Sequence, residues 1–153
     1  MRDAVGHGHQ HWHQGAVMIP AGYLPHTRRS PLTEPWEPLF ALETADAMQL
    51  ALEIRDAHCN SRGFAHGGLI CALADNAMGH SAVRLARSVA GAEHASAVTA
   101  SLTMDFIDTA RVGDWVEFLP TVLKTGRTLA FVDCRVVYGE RLIARGSASF
   151  RRV

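Results

Sequence analysis

The residues best suited to chemistry stand close together near the middle of the chain. They are Asn60, the run His66-Gly67-Gly68, and Asp75. Hydrolysis of a thioester or another activated acyl group requires groups of this kind: a polar loop residue, a glycine pair at the start of a predicted helix and a single carboxylate. N–H groups at a helix N-terminus are unpaired and carry partial positive charge, so they can polarise a carbonyl oxygen. Such a donor typically contributes about 10²–10³ in rate.

The distance between these groups within one chain is the main constraint on such a site. Asp75 follows Gly67 by eight residues, which is about 12 Å along one helix at ~1.5 Å per residue. A single active site cannot use both groups from the same helix. In a symmetric dimer with two such helices facing each other, Asp75 of one chain can reach the glycines of its partner. The spacing therefore predicts an assembly that is at least a dimer.

The same residues also have a purely structural interpretation. A His-Gly-Gly run at a helix start can be only a turn. Asp75 falls on a helical stripe of small residues, and it can be a buried hydrogen-bonding group. The stripe is Cys71, Asp75, Gly79 and Ala82. Small residues permit the close approach of another surface, so the stripe fits either a site or a subunit contact.

Composition limits the class of protein and its partners. The 153 residues suit one domain, and 48% hydrophobic with 20% charged residues is ordinary for a soluble globular protein. Fifteen basic and 15 acidic residues cancel, so nucleic acid is not an expected partner.

No apolar stretch approaches the ~18–20 residues of a membrane span. The cysteines (Cys59, Cys71 and Cys134) have neither disulfide nor zinc spacing. No signal peptide is recognisable, so we expect a cytoplasmic protein.

Two regions of different character are predicted. Residues 1–38 form a lead-in that holds five of the six prolines, so we expect coil with at most a short helical turn. Four histidines occupy every second position near its start: His7, His9, His11 and His13. They fit either a metal site or a flexible polar tail. Residues 39–153 form the folded domain.

Hydrophobic periodicity predicts an α+β domain. Apolar and polar residues alternate between Phe40 and Ile54, which indicates two strands. Apolar residues at three- and four-residue spacing indicate one long helix from Gly67 to about Arg87. Four further strands are predicted as an antiparallel meander, at residues 98–106, 114–123, 128–138 and 141–151. The last three are joined by tight turns in which Gly126 and Gly139 are expected to adopt positive φ.

One run of sequence resembles a known family. Residues 60–77 read Asn-Ser-Arg-Gly-Phe-Ala-His-Gly-Gly-Leu-Ile-Cys-Ala-Leu-Ala-Asp-Asn-Ala, which is similar to the signature of hotdog-fold acyl-CoA thioesterases, and closest to the PaaI-like (phenylacetic acid degradation) branch. The resemblance extends from about Phe40 to Phe150. It implies a long helix wrapped by a curved antiparallel sheet, with paired subunits that share two active sites.

The resemblance also implies roles for individual residues. Asp75 matches the carboxylate that attacks the thioester or activates water, and Gly67 matches the amide that polarises its carbonyl. His66 and Asn60 match residues that orient the substrate and the nucleophile. Thr99 matches a hydroxyl residue from the other subunit that helps to hold the water.

The expected activity is hydrolysis of an aromatic or medium-chain acyl-CoA to the free acid and coenzyme A, and further expectations follow for ligands and partners. Arg127 and Lys124 are candidates for contacts with the coenzyme A phosphates, or they are solvated hairpin charges. No metal or organic cofactor is expected, and the assembly is expected to be a homodimer or a homotetramer. The alternatives are a non-catalytic acyl-CoA binder on the same fold and, less favoured, a hotdog dehydratase. The remaining histidines, His58, His80 and His94, fit packing or surface roles better than proton transfer.

Overall fold

The computed structural model of the chain describes residues 18–88 and 92–153. In these ranges the elements are β1 (Leu24–Pro25), β2 (Phe40–Glu43), β3 (Met48–Glu53), α1 (Gly67–Arg87), β4 (Ala97–Phe106), β5 (Trp115–Thr125), β6 (Leu129–Tyr138) and β7 (Arg141–Arg152). Short 3₁₀ turns cover Glu34–Trp36 and Asp56–His58. The alternating histidines between His7 and His13 lie outside the described residues, so both readings of that segment stay predictions.

The strands form one antiparallel sheet, and α1 packs against it. Their order across the sheet is β1-β2-β3-β5-β6-β7-β4. Leu73, Ala77 and Met78 of α1 are fully buried in one cluster with Phe118 of β5 and Val136 of β6. Burial of a side chain of leucine size contributes roughly 1.5–3 kcal/mol, so this cluster holds the helix on the sheet. The arrangement confirms the predicted α+β class.

Helix α1 begins and ends at the predicted residues. His66 is extended (φ −70°, ψ 132°) and caps the helix, because its Nδ1 accepts the N–H of Gly68 across 2.9 Å. Arg84 and Arg87 in the last turn suit the negative end of the helix dipole. The buried residues recur at three- and four-residue spacing, which fixes the face turned to the sheet. The direction of the N-terminal amides is therefore fixed as well.

The four strands after the helix do not form the predicted meander. Strands β5, β6 and β7 are consecutive neighbours, but β4 pairs with β7 and lies at the edge of the sheet. Consecutive strands are neighbours in only roughly two-thirds of cases. The alternation that predicted β4 shows which residues share a face, and it carries no information about the pairing partner.

The two hairpin glycines behave differently. Gly139 has φ 56°, as predicted. The prediction is wrong for Gly126, which has no positive φ. Its N–H donates to the carbonyl of Leu129 across 2.7 Å, and a Cβ on Gly126 would lie 3.0 Å from that oxygen. A close backbone approach therefore accounts for glycine at this position.

The lead-in is mostly irregular but is tied to the domain. The unpredicted strand β1 pairs with β2, and the hydroxyl of Tyr23 donates to Glu117 on β5 across 2.8 Å. Buried His58 accepts the N–H of Arg55 at Nδ1 and donates from Nε2 to the carbonyl of Trp36. Burial, followed by the nearby Arg55 guanidinium, lowers the pKa of His58. This histidine therefore connects the lead-in to the loop before α1.

Candidate active site

The N-terminus of α1 presents an unpaired amide. The N–H of Gly68 is taken by the His66 side chain, and the N–H of Ile70 by the His66 carbonyl. The N–H of Gly67 donates to no described residue. A neutral His66 ring that accepts at Nδ1 must carry its proton on Nε2, which leaves that N–H as a further donor. A carbonyl oxygen at the helix start can therefore accept a hydrogen bond from Gly67.

A cavity of about 400 Å³ opens at this amide. Gly67 and Ile70 line it from the helix, Asn60 from the preceding loop, and Phe106 and Thr109 from the end of β4 and beyond. The Phe106 ring lies directly over Gly67, and a Cβ on Gly67 would approach it to 3.2 Å. Glycine here keeps the path to the amide open.

Asn60 shapes the loop that forms one wall of this cavity. Its Oδ1 accepts the N–H groups of Arg62 (2.9 Å) and Phe64 (3.3 Å). Its own N–H donates to the carbonyl of Phe64 across 2.8 Å. These bonds orient the side-chain amide and leave its NH₂ group as a donor for a ligand.

The carboxylate of Asp75 lies in a second cavity, of about 180 Å³. The hydroxyl of Thr99 on β4 donates to Oδ1 of Asp75 across 2.7 Å. The resemblance implied a hydroxyl from the other subunit, whereas here the hydroxyl and the carboxylate that it contacts belong to one chain.

Within one chain the two halves of the predicted site are apart. Asn60 and Gly67 line the first cavity, Asp75 and Thr99 line the second, and no described residue lines both. Strand β4 connects them, because Thr99 near its start contacts Asp75 and Phe106 at its end covers Gly67. The predicted site is therefore divided between two groups of residues in one chain, its half-sites.

His80 lies in the cavity of Asp75, close to two other basic side chains. Arg28 donates from Nη1 to Nδ1 of His80 across 3.3 Å, and the His26 ring centroid is 5.7 Å from that of His80. Burial, and then the charges of Arg28 and His26, lower the pKa of His80 to about 4. The ring is therefore neutral near pH 7 and can accept the Arg28 hydrogen bond.

Several cavity residues were not singled out by the sequence patterns. Asn76 directly follows Asp75, and Phe106 ends a predicted strand, so position gave a weak signal for both. Arg28 lies in the lead-in, from which no role in the site was inferred. In contrast, the predicted phosphate contacts Lys124 and Arg127 are exposed and line neither cavity.

Comparison with known proteins identifies the class. The sequence model of the thioesterase superfamily matches residues 62–144, more than half of the chain. A candidate esterase of Pseudomonas aeruginosa is 39% identical over 133 residues, which cover 86% of this chain and 96% of the relative. The chain belongs to the thioesterase superfamily. It is a thioester hydrolase.

Two further relatives agree with the predicted family. Human acyl-coenzyme A thioesterase 13 is 30% identical over 97 residues, covering 62% of this chain and 65% of the human protein. The structure of a variant of the phenylacetic acid degradation protein PaaI from Thermus thermophilus superposes with a TM-score of 0.70 at 27% identity, covering 81% of this chain and 100% of that one. The hotdog fold and the resemblance to this family are confirmed.

The described residues also bear on metal binding, membrane insertion and thiol chemistry. Across residues 18–88 and 92–153, no three or more His, Cys, Asp or Glu side chains are grouped to hold a metal ion. In the same ranges no helix is long and apolar enough to cross a membrane. Cys59, Cys71 and Cys134 are free thiols, and burial raises the pKa of Cys134 to about 12.

Proposed function

We propose that this thioester hydrolase acts on aromatic or aliphatic acyl-CoA, and that two chains build each active site. Asp75 and Thr99 come from one chain, and Asn60, His66 and Gly67 come from its partner. The observation that carries the proposal is that these groups line two cavities in one chain, with no described residue in common.

The Gly67 cavity does contain one carboxylate, Asp108, but it is ion-paired with Arg141 across 3.5 Å and also accepts the N–H of Thr109. Neither half therefore combines a carboxylate without an ion pair and a polarising amide, and the proposed hydrolysis uses both at the same carbonyl.

The edge strand β4 supports a way for the halves to meet. It pairs only with β7 among the described strands, and an exposed edge can pair with another chain. Two β4 strands that pair antiparallel about a two-fold axis bring the Thr99 end of one chain beside the Phe106 end of the other. Asp75 then lies near Gly67 of the partner subunit. Val98 and Phe106, which are 48% and 52% exposed, lie on the strand that this pairing covers.

The proposed reaction follows from the charge that develops in the transition state. The thioester oxygen accepts the N–H of Gly67, and the positive end of the α1 dipole stabilises its negative charge. The Asp75 carboxylate either attacks the carbonyl carbon to give an anhydride, which water then cleaves, or removes a proton from an attacking water. The C–S bond breaks, the coenzyme A sulfur takes up a proton, and the acid is released.

The other polar groups orient these participants. The Thr99 hydroxyl donates to Oδ1 of Asp75 and so fixes the carboxylate. His66 holds the start of the helix, and its Nε2–H can donate to the substrate. The NH₂ group of Asn60 is a second donor in the same cavity.

Ligand contacts and assembly complete the proposal. Lys124 and Arg127 are proposed to meet the coenzyme A phosphates when the assembly is complete, since guanidinium groups bind phosphate through paired hydrogen bonds. We propose that two dimers form a cytoplasmic homotetramer, and that the reaction uses no metal or organic cofactor. The dehydratase alternative has no specific support among the described contacts.

The test is thiol release from a panel of aromatic and aliphatic acyl-CoA thioesters, followed with a thiol reagent. We expect release well above the uncatalysed rate for at least one member of the panel. Binding of these thioesters without any release would contradict the proposal and favour an acyl-CoA-binding protein.

A further inference from the structure

The cavity beside Asp75 carries an excess of positive charge. Arg28 and Arg87 line it, and Asp75 is the one carboxylate among its described lining residues. A neighbouring cavity of about 150 Å³ adjoins it, because Arg28, Asn76 and His80 line both. The two cavities together lead from the catalytic carboxylate to the lead-in segment.

The neighbouring cavity combines an apolar floor with a paired arginine. Leu39 and Leu50, both buried, form part of its wall. Arg29 also lines it, but its charge is balanced by Glu37 across 3.3 Å. Arg28 takes part in none of the ion pairs between described residues. The unbalanced charge in this region therefore includes Arg28.

The surroundings of Arg28 leave it able to bind an anion. In the described part of the chain its guanidinium donates only to Nδ1 of His80. A guanidinium has five N–H donors, so most of them are available. His80 is neutral near pH 7, so it does not balance the positive charge of Arg28.

We propose that these two cavities receive the acyl group, and that Arg28 binds a carboxylate at its far end. The preferred substrates are then short acyl-CoA thioesters whose acyl group ends in a carboxylate. This inference rests on the proposed function and names its substrate class.

The position of Arg28 favours the acyl group over coenzyme A as the source of the anion. The cavities adjoin Asp75, where the thioester carbonyl must lie, whereas the whole pantetheine arm separates the coenzyme A phosphates from that carbonyl. At about 180 and 150 Å³, the two cavities together lie near the lower end of the ~300–1,000 Å³ range of small-molecule pockets, which suits a short chain. Leu39, Leu50 and Phe150 provide apolar contacts for its methylene groups.

The test compares glutaryl and pentanoyl thioesters, which have the same chain length and differ in the terminal carboxylate. Each is prepared on coenzyme A and on N-acetylcysteamine, a thiol without phosphates. The wild-type chain is compared with Arg28→Gln, Arg28→Lys and the control Arg145→Gln. Arg145 forms an exposed ion pair with Asp105 and lines neither cavity beside Asp75.

We expect wild-type kcat/KM to favour glutaryl by about 2- to 5-fold on both thiols, because Arg28 is exposed and water weakens its pairing with a carboxylate. Arg28→Gln should abolish the preference, Arg28→Lys should keep part of it, and Arg145→Gln should keep all of it. An absent preference, or an equal loss for both acyl groups, overturns the inference. So does an effect confined to the coenzyme A substrates, because Arg28 would then contact phosphate.

The outcomes separate this inference from the proposed function. Hydrolysis that depends on Asp75 but shows no glutaryl preference leaves the function standing and removes the inference. Absence of hydrolysis for every thioester removes both.

Discussion

Replacing Asp75 with Asn is expected to lower kcat by about 10²–10⁴-fold, the contribution of a positioned general base. Asn has nearly the same shape, and its side-chain oxygen can still accept the hydrogen bond that Thr99 donates across 2.7 Å. The substitution therefore removes the negative charge and leaves the local packing. Thiol release from the best acyl-CoA substrate measures the loss, and Asp75→Ala should give a loss at least as large.

A matched control is available in the turn between β2 and β3. Asp46 is exposed there and lines neither cavity. Asp46→Asn is the same chemical change away from the half-sites and from β4, and it should retain wild-type turnover. Sedimentation should show the wild-type assembly for both variants. Wild-type turnover in correctly assembled Asp75→Asn would exclude the proposed role of the carboxylate.

Replacing Gly67 with Pro is expected to lower kcat by about 10²–10³-fold, because it deletes one backbone N–H. Proline is favoured at the first position of a helix, where Gly67 lies. His66 already has the extended backbone that precedes proline most easily (ψ 132°). No described residue accepts the Gly67 N–H, so the substitution removes a hydrogen bond to the substrate and none within the described part of the chain.

Gly67→Ala separates the lost donor from the added bulk. Alanine keeps the N–H and places a Cβ 3.2 Å from the Phe106 ring, as proline also does at its Cβ. Turnover should fall much less in Gly67→Ala than in Gly67→Pro. Equal losses in the two variants would show that crowding at Phe106, and not the amide, accounts for the effect.

The helix and the family were predictable because the signals are local. Apolar spacing placed the bounds of α1 at Gly67 and Arg87, and the run from Asn60 to Asp75 carried the resemblance to the family. Even the separation of amide and carboxylate followed from the helical rise. These features depend on neighbours within a few turns, which a single sequence contains.

The pairing of β4 and the position of the lead-in were not predictable in this way. The alternation in β4 is the same whether the strand lies beside β5 or, as observed, beside β7. Arg28 reaches His80 across 52 residues, and nothing in the composition of the lead-in indicates that contact. Both features depend on contacts distant in sequence, yet they place β4 against both half-sites and a cation beside Asp75.

The central claim, that each site is shared by two chains, can be tested by mixing two inactive variants. Asp75→Asn retains the Gly67 amide, and Gly67→Pro retains the Asp75 carboxylate. A mixed dimer contains one site with both intact groups and one site with neither. Subunits are exchanged by partial unfolding and refolding or by co-expression, and thiol release is measured against each variant treated alone.

Random exchange makes about half of the dimers mixed, and each has one working site of two, so activity should recover to about one quarter of the wild-type value. Separate refolding of each variant should give no recovery. If mixed dimers form, as shown by tags of different mass, and activity stays at the level of the single variants, the carboxylate and the amide do not act across the subunit interface.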